Sequence, residues 1–178
     1  GVEGYAQYEQ LAGGVETLFK DSQGAVMKYA ENAYKTAGMS ANQYMETVTS
    51  FSASLIQSLG GDTVKAAEIA DMAITDMSDN ANKMGTSMEM IQNAYQGFAK
   101  QNYTMLDNLK LGYGGTQEEM YRLLSNAKKI DSTFDAIFSI DSKGSLKAEY
   151  ADIVKAIHIV QTEMGITGAT ADEASRTI

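Results

Sequence analysis

Apolar positions recur at helical spacing along most of this chain. Between 41 and 59, Tyr44, Val48, Phe51, Leu55 and Leu59 follow one another at steps of four, three, four and four. Between 63 and 84, Ala67, Ala70, Ile74, Met77, Ala81 and Met84 alternate steps of three and four. From about 146 to 164, Ile153, Ile157, Val160 and Met164 make a third stripe. Residues three or four apart share one face of an α-helix, so each run predicts an amphipathic helix. On the 63–84 helix the other side carries Glu68, Asp71, Asp76 and Asp79, which reads as a polar face. Its small alanines would let a partner helix approach closely. Weaker runs predict helices near 23–37, 88–101 and 117–130, and the first 20 residues predict a helix interrupted around Gly13-Gly14.

Glycines punctuate these segments and stand just before small polar residues: "AGMS" at 37–40, "LGGDT" at 59–63, "MGTS" at 84–87, "YGGT" at 113–116, "KGS" at 143–145 and "MGITGAT" at 164–170. Glycine suits the left-handed position just past a helix end, and Ser, Thr or Asp suits the cap of the next helix. Ser40–Gln43, Thr86–Glu89, Thr116–Glu119 and Thr170–Glu173 have capping-box spacing. The pattern predicts an all-α fold: a compact bundle of about six to eight helices joined by short glycine-containing corners, one domain over 1–178. "STFDAIFSIDSKG", 132–144, stands outside it and reads as a short strand or an irregular loop. The corners recur at uneven spacing, so they do not amount to a sequence repeat.

Composition sharpens this picture. The chain has 178 residues and no proline, so nothing forbids helix almost throughout. A formal net charge of −9 argues against a nucleic-acid groove or docking on anionic lipid, both of which need positive charge. Cysteine is absent and His158 is the single histidine, which removes thiolate metal sites and most histidine ones. The first residue is Gly1, and "TADEASRTI" at the end reads as an open helix, so a segment of a longer protein is expected.

Candidate chemistry is thin. "LGYGGTQEEM", 111–120, resembles a phosphate-cradling loop. It lacks the lysine of a Walker A loop and the sixth-position glycine of a dinucleotide fingerprint, and the residues before it, "NYTMLDNLKL", look helical. Glu118 and Glu119 would face an incoming phosphate with like charge, so a corner between helices is the expectation. "DMSDNANKMGTS", 76–87, has oxygen-bearing residues at alternate positions like a calcium loop. Ala81 and Ser87 stand where that loop needs glycine and glutamate, so a polar helix face is expected instead. His158 lies at the edge of the third stripe and reads as a half-buried structural histidine. Glu118/Glu119 and Glu149/Asp152 are the available carboxylate pairs, and exposed helical acids are the ordinary reading of both. "NYT" at 102–104 matches a glycosylation sequon, which has meaning only in a secreted eukaryotic protein. The 41–59 helix carries Glu46 as its only charge, but its Ser, Thr, Asn and Gln make it a poor membrane spanner. The expectation is no catalytic residue, no metal site and no cofactor.

Three stretches resemble a known family: "YEQLAGGVETLFKDS", the long block from "AYKTAGMSANQYMETVTSF" to "GYGGTQEEMYRLL", and "ADIVKAIHIVQTEMGITGATADEAS". Together they closely resemble a region of the tail tape measure proteins of long-tailed bacteriophages and of prophages in Gram-positive bacteria. The likeness runs from about Tyr8 to Ile178 and departs at 131–149, where the family has a shorter stretch. It implies a viral structural protein with no catalytic motif in this region. Several copies fill the lumen of the tail tube, set tail length during assembly and leave at DNA ejection. Implied partners are further copies of the chain, the tail tube protein and tail assembly chaperones. The implied location is the virion tail, after synthesis in the host cytoplasm. The alternative is an ejection-linked module that cleaves peptidoglycan or acts on membranes.

Overall fold

A computed structural model describes the backbone of residues 2–177 and the side chains of residues 3–173. The fold is all-α. Its α-helices are α1 (Val2–Phe19), α2 (Gln23–Ala37), α3 (Ala41–Ser58), α4 (Thr63–Met84), α5 (Met88–Ala99), α6 (Gln117–Ile130), α7 (Tyr150–Glu163) and α8 (Ala169–Thr177). Strands β1 (Ser139–Ile140) and β2 (Leu146–Lys147) form a small antiparallel hairpin between α6 and α7. The hairpin lies at the edge of the 132–144 stretch and delays the start of α7 to Tyr150, later than the 146 expected from the stripe.

The chain forms two compact units, Gly1–Thr75 with Thr170–Ile178 and Asp76–Ala169. In the first, α1, α2 and α3 pack on one another in every pairing. Its interior is built from the residues the stripes mark, among them Tyr44, Val48, Phe51, Leu55, Ala67, Ala70 and Ile74, all buried. In the second, α7 packs on both α5 and α6, and the hairpin lies against α6. Ile91, Phe98, Leu106, Met120, Leu123, Ile153 and Ile157 fill this interior.

The corners follow the expected chemistry in part. Ser40 caps α3 with a full capping box: its hydroxyl accepts from the Gln43 amide, and the Gln43 side chain accepts from the Ser40 amide. Gly38 closes α2 in the left-handed conformation at φ 63°, its N–H donating back to the Ala33 carbonyl. Other corners differ from the expectation. Helix α1 runs unbroken through Gly13-Gly14, and the chain turns instead at the 3-10 segment Lys20–Ser22, with Lys20 at φ 51°. The cap of α5 is Ser87, whereas the Thr86 hydroxyl turns inward and donates to the Asn80 side chain. Thr170 lies inside α8, which starts one residue earlier. The residues before the glycine loop form a turn and a short 3-10 helix, Leu106–Leu109, in place of the expected helical run.

Candidate functional site

The 112–116 loop is occupied by the protein's own carboxylate. Thr116 caps α6, its hydroxyl accepting from the Glu119 amide at 3.1 Å. That cap starts the helix so that the Glu119 side chain reaches back into the loop, where it accepts from the Gly114 N–H at 2.9 Å. Arg122, one turn on, donates to Glu119 through Nε at 2.6 Å and to the Gly112 carbonyl at 2.8 Å. The guanidinium also lies 4.2 Å above the centre of the Tyr113 ring, whose hydroxyl accepts from Asn126. The Arg122 hydrogen bonds, with the Gly114 N–H behind them, hold the Glu119 carboxyl down to about 2. A backbone amide that could meet a phosphate already meets a carboxylate, so the loop is a knitted corner. Glu118, beside it, is exposed in the first turn of α6, where it complements the helix dipole.

A different constellation comes from the stretch read as a polar helix face. Asp76 and Asp79 are 1% and 0% exposed, and Asn80 is 0% exposed, so the later part of the polar face is interior, whereas Glu68 on the same helix is exposed and Asp71 half-buried. The reason is a second stripe. Ala66, Ile69, Ala73, Asp76 and Asn80 follow at steps of three and four, and all are buried. The stripe begins apolar and ends polar. Each polar group at its end finds a partner, as burial demands. His158 Nδ1 lies 2.9 and 3.1 Å from the two carboxylate oxygens of Asp76. Gln161, one turn along α7, donates to the Asp76 backbone carbonyl at 3.1 Å and accepts from the Asn80 amide at 2.8 Å. Asn80 also donates to the Leu109 carbonyl, and Asp79 accepts from the Gly168 N–H.

Burial pushes the Asp76 carboxyl up, against the pull of its His158 hydrogen bond. The same hydrogen bond raises His158, against desolvation. His158 is half-buried as expected, and 33% of its side chain reaches solvent. Its carboxylate partner lies 82 residues away, which no local spacing reveals. The alternation 66, 69, 73, 76, 80 is the signal in the sequence that points to it.

The remaining candidates stay apart from both constellations. Glu149 is exposed at the start of α7, and burial raises the half-buried Asp152 while Lys155 opposes the shift. The Asn102 side chain accepts from the Thr104 amide and hydroxyl, forming a local turn. Glu46 is exposed on α3. Among the described residues, no group of three or more His, Asp or Glu side chains is placed to hold a metal ion. Among them also, no helix is long and apolar enough to cross a membrane. Comparison with models of protein families, with curated proteins and with solved structures finds no match to this chain.

Proposed function

We propose that this chain is a segment of a tail tape measure protein, a structural component of a phage or prophage tail and not an enzyme. The observation that carries the reading is the resemblance in sequence, above all the long block ending in "GYGGTQEEMYRLL". The side-chain chemistry is in keeping with it. Glu119 is bound by Arg122 and the Gly114 amide, and Asp76 by His158, so these acids hold the fold together. In this reading the segment's partners are other copies of the chain, the tube protein around it and the chaperones of tail assembly.

The test uses the virus or prophage that encodes the chain. Mass spectrometry of purified tails should find the tryptic peptide 111–122, and tails that have ejected their DNA should lack it. An in-frame deletion of the segment should abort tails or shorten them, by up to about 270 Å if the segment spans the lumen at the rise of an α-helix. Tails without the peptide, and full-length infectious tails from the deletion mutant, would sink the proposal.

A further inference from the structure

The Asp76–His158 contact joins α4 to α7 inside the second unit through two groups that titrate. Asp76 is 1% exposed, and the groups acting on it are His158 from α7 and Asp79 from its own helix. Tyr95 from α5 and Tyr150 from α7 lie in the same interior, and burial raises both phenols, so they stay neutral through the physiological range. No lysine or arginine acts on Asp76 among the described residues. His158 is thus the group that balances the buried Asp76 charge, and its ring reaches solvent, which gives a proton a way in and out.

We propose that the Asp76–His158 pair is a proton-operated latch that fastens α7 to α4 while it holds its proton and slackens when the proton leaves. With the proton, the contact is a charge-assisted hydrogen bond, roughly twice as strong as a neutral one. Without it, a neutral imidazole faces a carboxylate buried near Asp79, and the weaker neutral hydrogen bond offsets less of that carboxylate's desolvation.

Both members of the pair push stability in one direction. Folding raises His158 above its ordinary 6.5 and Asp76 above its ordinary 3.8. A group that folding raises contributes fully below its unfolded pKa and loses that contribution as pH rises through its folded pKa. The Asp76 contribution begins to fade above 3.8 and the His158 contribution above 6.5. The latch therefore weakens as pH climbs, opposite to the acid lability that salt-bridged carboxylates give most proteins.

The chain's single histidine makes the test direct, because its ring Cε1 proton gives one NMR signal to follow. In the whole chain its midpoint should lie above 6.5, and in Asp76→Asn it should fall to that value or below. The melting temperature should drop as pH rises through the wild-type midpoint. In His158→Gln, which retains a donor without a titrating proton, the drop should flatten. A wild-type midpoint at or below 6.5 would overturn the latch. So would a pH-dependent drop of equal size in His158→Gln. If either variant fails to fold, the wild-type profile still decides, since a melting temperature that is level or rising across the midpoint excludes the mechanism.

Discussion

Gly115 leaves no room for a single methyl group. A Cβ there would lie 2.2 Å from the Thr104 carbonyl oxygen and 2.8 Å from its carbon. The obstacle is backbone, so no rotamer change can relieve it. Gly115→Ala should therefore displace the loop from Thr104 and destabilise the chain by about 3 kcal/mol, in the range of overpacked cores. Urea denaturation checks this, and an unchanged midpoint would mean that the two strands of chain do not approach so closely. The sequence offers no hint of this contact, because the glycine and its obstacle are joined only by folding. Asp76 shows the same limit. An aspartate on an amphipathic helix is usually solvated, and only the buried stripe of Ala66, Ile69 and Ala73 leading to it marks the exception.

At the scale of elements, periodicity located helices well because burial of one face is what selects them. The 41–59 stripe is interior at Tyr44, Val48, Phe51 and Leu55. Corners were less legible, since glycine marks a turn only where the chain needs a left-handed residue. Helix α1 shows the failure. Gly13 and Gly14 lie inside it, while Lys20, Gln101 and Lys110 occupy positive-φ positions elsewhere. At Gly13 an added Cβ would meet nothing within 4 Å, and at Gly14 it would meet Thr49 Cγ2 at an ordinary 3.7 Å. Gly13→Ala should thus stabilise the protein by about 1 kcal/mol, the difference in helix propensity. A lower urea midpoint in this variant would contradict a continuous α1. Ser40→Ala tests the opposite case, a corner read correctly. It removes the acceptor for the Gln43 amide and should cost about 1 kcal/mol. Circular dichroism during thermal melting should show the loss, and full stability would mean that the capping box contributes nothing.

At the scale of the molecule, each unit has its own interior, and α4 supplies residues to both. Its first part contributes alanines and isoleucines to the first unit, and its second part contributes Asp76, Asp79 and Asn80 to the polar layer of the second. The stripe of α4 crosses the boundary between the units without a break, so the sequence pattern looks the same on either side. The polar layer allows the units to be probed separately. Asn80 holds the Leu109 carbonyl, the Gln161 side chain and the Thr86 hydroxyl at once. Asn80→Ala would strand two buried acceptors, a loss of about 3 kcal/mol. Native-state hydrogen exchange reads opening free energy amide by amide, and units that open independently report separate values. The variant should therefore lose protection in α5, α6 and α7 while α1, α2 and α3 keep theirs. An equal loss across all six helices would show one cooperative unit, in which a polar layer confined to one part of the chain governs the opening of the whole.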